Sequence, residues 1–202
     1  MLRPSPLLRP IESAKLIVSF LIVCCVTAQA IEIRRFSLKT KELLGRQLYE
    51  RTQRGAAPLT EPQLRAKRAA MESLRQLDKS YRIVVLNDPE RDGHLVYALA
   101  TSPNPDDIVV GVHYRVTVSS AGKVERVDPL ARSRLVIRKN GRDRPAGYRH
   151  AGFYATNMVS TEPVETFIYL SLLHHDSCVV FTPDSATWLI KDGKITRERE
   201  RR

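Results

Sequence analysis

The chain has little of what fixes a fold or a chemistry outright. Only three of its 202 residues are cysteine, and two of them, Cys24 and Cys25, sit in an apolar stretch near the start. If that stretch is removed, Cys178 stands alone, no internal disulfide can form, and the apolar core must hold the fold. No Asn-x-Ser/Thr acceptor occurs, so nothing points to a glycosylated eukaryotic secreted protein. Also missing are G-x-S-x-G, a Walker loop, G-x-G-x-x-G and H-E-x-x-H, and with them the common signatures of hydrolases, nucleotide binders and zinc peptidases. No segment repeats. Long apolar runs are scarce too: Leu16–Val26 spans 11 residues, short of the roughly 20 that cross a bilayer.

What is present at the start is a leader. Arg3, Arg9 and Lys15 precede the apolar run, and Ala28-Gln29-Ala30 follows it with small residues where signal peptidase wants them. Residues 1–30 therefore read as a signal peptide cut after Ala30, and the expected location is the bacterial periplasm. A retained signal anchor is the rival. A lipid anchor is disfavoured because no suitable small residue precedes Cys24 or Cys25. Residues 31–196 read as one α+β domain, and residues 197–202, all Arg and Glu, as a charged tail. The full chain carries a net charge of +11. Most of the excess remains after the leader is gone, which points to anionic partners.

Periodicity gives the elements. Phe36–Thr52 looks helical around Leu44 and Leu48. A second helix starts at Thr60, with Gln63 completing a capping box and Leu64, Ala70, Met71, Leu74 and Leu77 as its core stripe. From Tyr81 the pattern becomes strand-like. Its clearest stretch is Asp107–Ser119, read as one continuous strand that buries Ile108, Val110, Val112, Tyr114, Val116 and Val118. Its other face, with His113 and Arg115, would be wetter. Further strands are expected at 81–86, 94–101, 124–127, 134–137, 153–159, 164–173, 178–182 and 186–190. The predicted fold is α+β, two N-terminal helices packed on a curved, mainly antiparallel sheet.

Candidate chemistry is thin. Asn87–Gly93 has acids at alternate positions, but Leu99 stands where a calcium loop needs Glu, so a hairpin turn is the reading. His174-His175-Asp176-Ser177-Cys178 packs possible metal ligands together, yet zinc needs three or four spaced ligands; a polar turn and a buried, inert thiol fit better. No metal and no cofactor is expected. His113 and Arg115, two residues apart, suit two readings: a shared anion, or ties to acids on neighbouring strands. Glu165, before an apolar stretch, has no visible catalytic partner. The strongest charge signal is residues 132–150, where Arg132, Arg134, Arg138, Lys139, Arg142, Arg144 and Arg149 face Asp143 alone. Arginine with the nearby rings of Tyr148, Phe153 and Tyr154 suits lipid headgroups or other polyanions. Nucleic acid is a poor match for an exported protein.

Gly111–Val116, Pro129-Leu130, Thr161–Glu165 and Trp188 through Ile195, in that order, resemble a group of small uncharacterised exported proteins of Gram-negative bacteria. That resemblance implies export and an α+β fold and no activity. The expected function is a non-enzymatic envelope module in which Arg138, Arg142, Arg144 and Arg149, with His113 and Arg115, meet an anionic component or another envelope protein. Membrane contact would be peripheral at most if the leader is cut. The alternative is a small enzyme in which His113, Arg115 and Glu165 converge in one pocket, or a signal-anchored protein.

Overall fold

Tyr81–Asn87 (β1) and Gly93–Ala100 (β2) open a four-stranded antiparallel sheet. Tyr114–Ser119 (β4) and Val124–Pro129 (β5) complete it in the order β1-β2-β4-β5. The computed structural model describes residues 32–53, 57–75, 77, 80–139 and 151–198. Residues 1–30, expected to be a leader, and Arg142, Arg144 and Arg149 lie outside them. The architecture is α+β, with three helices and ten strands among the described residues.

Two expected helices are present, Leu38–Gln53 (α1) and Glu61–Ser73 (α2). The Thr60 N–H donates to Gln63 Oε1 at 3.1 Å, the reciprocal half of a capping box. The core stripe of α2 differs from the expected one. Ala66, Ala70 and Leu74 pack on Val85, Val96, Ala98, Val116 and Val118, while Leu64 and Met71 lie exposed. Small residues face the sheet because the helix lies close against it. The larger ones are turned out.

The long central strand is broken in two. Asp107–Val110 (β3) leaves the main sheet and pairs only with Leu135–Arg138 (β6), forming a separate two-stranded ribbon. The break is a corner at Gly111 and Val112, both with positive φ, +95° and +48°. A Cβ on Gly111 would lie 2.0 Å from the Ser133 carbonyl oxygen, so only glycine fits there. Val112 is β-branched and pays for its left-handed conformation with strain. Alternation along the sequence continues through this corner, which is why it reads as one strand.

A second sheet runs β10-β9-β8-β7, built from Gly152–Thr156 (β7), Ser177–Phe181 (β8), Thr187–Lys191 (β9) and Lys194–Arg197 (β10). β7 and β8 are parallel, and the crossover between them is a helix, Glu165–His174 (α3). The sequence reading made this stretch a strand. Every residue from Glu165 to Ser171 is buried, and an apolar segment covered on all sides has no period to tell helix from strand. The helix ends at His175, left-handed at φ 53°. There the Asp176 N–H reaches the Ser171 carbonyl at 3.0 Å, a Schellman-type closure. His174 and His175 thus belong to a helix terminus, not to a turn between strands.

The main core lies where α1 and α3 meet both sheets, with Leu44, Leu48, Leu95, Leu99, Ile168, Val180 and Ile190 at its centre. Gly45 lets the two helices touch: a Cβ there would lie 2.5 Å from the Ile168 Cβ. Arg197, expected in a loose tail, closes β10 and stands 5.5 Å from the Trp188 ring centroid.

Candidate functional site

The most polar part of the interior is a row across three strands. Tyr97 on β2 is opposite Arg115 on β4, and Arg115 is opposite Asp128 on β5. All three point to the same face of the sheet, inward, because they are direct cross-strand partners. Arg115 is 0% exposed and is the largest fully buried side chain in the protein's described part. Its Nη2 donates to Asp128 Oδ2 at 2.8 Å and its Nη1 to Glu165 Oε1 at 2.6 Å. The same Glu165 oxygen accepts the Tyr97 hydroxyl at 2.8 Å. Glu165 occupies the first turn of α3, where the helix's positive end favours a carboxylate.

The segment before α1 closes the row. The Arg34 carbonyl accepts from Arg115 Nη2, and the Arg34 N–H faces both Asp128 carboxylate oxygens at 3.3 Å. The Arg34 guanidinium pairs with Asp88 in the β1–β2 turn, its Nη2 donating to Asp88 Oδ1 at 3.0 Å. Phe36 lies between the two arginines, each guanidinium carbon 4.6 Å from its ring centroid, within cation–π range. Burial works against the Arg115 charge, but Glu165, Tyr97 and Asp128 outweigh it and raise its pKa. Burial, reinforced by the Glu165 charge, pushes the Tyr97 phenol well up. Both groups therefore hold one protonation state across the physiological range.

His113 takes no part in this row. It sits past the corner, buried, with Nδ1 accepting the Ala100 N–H at 3.0 Å and Nε2 facing the Val109 carbonyl at 3.1 Å. With Nδ1 as acceptor, the proton is on Nε2, donated to Val109. Burial lowers its pKa to about 4, against the opposing pull of that carbonyl, so the ring is neutral at pH 7. The ring staples β2 to β3 across the corner.

The anion site expected at His113 and Arg115 is thus filled by the protein's own groups. Arg115 is neutralised by Asp128 and Glu165, and His113 is uncharged. Neither faces solvent. The expected wet face is buried because α1, α3 and the Arg34 segment cover it. Glu165 and Arg115 do converge, but in a salt bridge. Surface clefts of about 540, 380 and 300 Å³ lie among the described residues, and none of these is lined by His113, Arg115 or Glu165. Cys178 is buried, which pushes its thiol pKa up and leaves it unreactive. Among the described residues no group of three His, Cys, Asp or Glu could hold a metal ion.

Of the basic segment, Arg132, Arg134 and Arg138 are described, and all three are exposed on and before β6. Arg138 stands opposite Asp107 in the ribbon register. Between them Leu135 and Val136 are 45% and 38% exposed. Lys139 turns inward, its Nζ 2.6 Å from Asp176, and so leaves the outer surface to the arginines.

No protein-family model matches the chain, and comparison with curated proteins and with solved structures finds no similar one.

Sequence reasoning missed Arg34, Tyr97 and Asp128. The signal for Asp128 was present in the β4–β5 hairpin but displaced. The Ser119–Lys123 turn bond, carried back without irregularity, would set Arg115 opposite Val127. A bulge between the Thr117 and Val118 pairings shifts the register by one and brings Asp128 into line.

Proposed function

We propose that this protein is an exported, non-catalytic binding module whose basic edge engages an anionic component of the cell envelope. The observation that carries the reading is the contrast in arginine placement: Arg115 and Arg34 pair with internal carboxylates, whereas Arg132 and Arg134 just before β6 and Arg138 at its end stand exposed. Exposed guanidinium groups are suited to phosphate or carboxylate ligands, which they contact two oxygens at a time. Arg142, Arg144 and Arg149, outside the described residues, extend the same charge along the chain. Export is inferred from the leader-like residues 1–30 and from the resemblance of the motif order to that of small Gram-negative exported proteins. A fold stabilised without disulfides suits a chain that has only Cys178 beyond the leader.

The experiment is a salt series. The processed protein is titrated with lipopolysaccharide and with polyphosphate, beside a variant carrying Arg132→Gln, Arg134→Gln and Arg138→Gln and a second carrying Arg142→Gln, Arg144→Gln and Arg149→Gln. Binding that weakens with salt and is lost in one or both variants supports the reading. Binding unchanged in both, or absent in the parent, overturns it. Mass analysis of the secreted protein tests the cut after Ala30: a retained leader replaces the free module by an anchored one.

A further inference from the structure

The arginines do not stand alone on the basic edge. β6 is the outer strand of the ribbon, and its inner neighbour β3 is covered on both faces: Val109 and Val110 are 3% and 6% exposed. Leu135 and Val136 are adjacent, so they point to opposite faces of the strand, yet both are open to solvent at 45% and 38%. A soluble surface strand ordinarily hides one of its faces. Here an aliphatic pair is exposed on both sides, with Arg132 and Arg134 before it and Arg138 after it. Only Ile137 packs back against the core.

We propose that this strand is a membrane-contact edge, in which Leu135 and Val136 enter the interfacial zone of an anionic phospholipid bilayer while Arg132, Arg134 and Arg138 hold the headgroup phosphates. This rests on the anionic-partner reading and narrows the partner to a lipid surface. The chemistry matches on both counts. Aliphatic side chains gain by leaving water for the acyl boundary, and arginine stems extend along apolar surface while their heads stay at phosphate level. Positive charge is drawn to the negative surface potential of anionic lipid. The rival occupant is an acidic peptide added to β6 as a further strand. Specific strand addition takes alternate side chains into pockets, whereas here Leu135 and Val136 open to solvent on both faces beside arginine. The lipid surface, which needs no pocket, is the better fit.

The test uses the processed full-length protein with vesicles of phosphatidylglycerol and phosphatidylcholine, pure phosphatidylcholine vesicles, and soluble polyphosphate. Two variants are compared with the parent: Leu135→Ser with Val136→Thr, which keeps every charge, and Arg132→Gln with Arg134→Gln and Arg138→Gln. Circular dichroism and melting confirm that each is folded, and both sets lie on an exposed strand. The parent is expected to bind the anionic vesicles in a salt-sensitive way and the neutral ones at least tenfold more weakly. The Leu135→Ser, Val136→Thr variant should lose roughly tenfold on anionic vesicles, the equivalent of removing two partly buried aliphatic groups, while binding polyphosphate like the parent. A third variant, Val136→Trp, should shift its emission to the blue on anionic vesicles, since Trp188, the chain's one native tryptophan, is buried and contributes a constant background. Equal vesicle binding by the parent and the Leu135→Ser, Val136→Thr variant, or no blue shift, overturns the membrane edge and leaves the anion reading intact. So does parental binding to polyphosphate without binding to vesicles. Failure of the arginine variant to weaken binding to the anionic vesicles overturns the membrane edge, and the anion reading then stands or falls with Arg142, Arg144 and Arg149.

Discussion

Two groups of arginines, one in the main sheet and one at the two-stranded ribbon, have opposite fates. Arg115 on β4 is fully enclosed, with Asp128, Glu165 and the Arg34 carbonyl around its guanidinium. Arg134 and Arg138, on and beside β6, face outward next to exposed Leu135 and Val136. Both groups lie in short β-branched segments of similar composition. The difference is what the rest of the chain places over them. Carboxylates from β5, α3 and the β1–β2 turn neutralise the inner group, and nothing described covers the outer one. The fold encloses one group among carboxylates and leaves the other at the surface.

The largest effect that would separate the two regions is on stability. Arg115→Met leaves Asp128 and Glu165 buried without their cation, and removing one partner of a buried pair costs roughly 3–5 kcal/mol. Urea unfolding should show that loss, with vesicle and polyphosphate binding by the folded fraction unchanged. If Arg115→Met instead abolished binding while stability held, the inner network would be the site and the comparison would collapse.

Acid should act on the inner region as well. The folded His113 titrates near pH 4, whereas the unfolded imidazole does so near 6.5. As pH falls below about 6.5 the unfolded chain takes up a proton that the folded one refuses, so stability drops, and the loss is complete at about pH 4. It amounts to roughly 3 kcal/mol. Asp88, held low by Arg34 against its own burial, is lost only at lower pH and equally in a variant. A His113→Gln protein should therefore be less stable at pH 7 but show a flatter profile between pH 6.5 and 4.5, measured by denaturant unfolding at each pH. Parallel profiles would mean that the imidazole is not buried neutral at the corner.

The corner joins the two regions, and a smaller effect reports on it. Val112 is left-handed at φ 48°, which costs a β-branched residue roughly 1–2 kcal/mol. Val112→Asn should consequently stabilise the protein by up to ~1 kcal/mol, because asparagine tolerates that conformation. In an unbroken strand the same change would destabilise, so a lower melting temperature would restore the single long strand.

The smallest effect is expected outside. Arg132→Gln, Arg134→Gln and Arg138→Gln together should move stability only slightly, about 0.5 kcal/mol per site or less, as for surface positions generally, despite their effect on anion binding. A loss comparable to that of Arg115→Met would mean that the outer arginines are structural too.

Much of the frame was legible beforehand. The period of Leu44 and Leu48, the Thr60–Gln63 box, the turn at Asn87–Gly93 and the β-branched runs marked α1, α2 and the first sheet by local rules alone. The α3 segment was not legible, because burial on all sides erased the periodicity that separates a helix from a strand. Its recognition needed the parallel pairing of β7 with β8, which is a long-range fact. The candidate site split in the same way. The exposed basic run was visible as composition, while the inner network was hidden by a one-residue bulge that decides whether Arg115 faces Val127 or Asp128.

The amino-acid sequence by itself determined the α+β class, the early helices, the single cysteine beyond residue 30 and the clustering of positive charge, since each depends on residue type or on spacing within a few positions. Only the tertiary structure decided which charges are spent. Burial and pairing depend on groups far apart along the chain, as with Arg34 and Asp128 or Arg115 and Glu165, and no local pattern records whether a distant carboxylate will arrive.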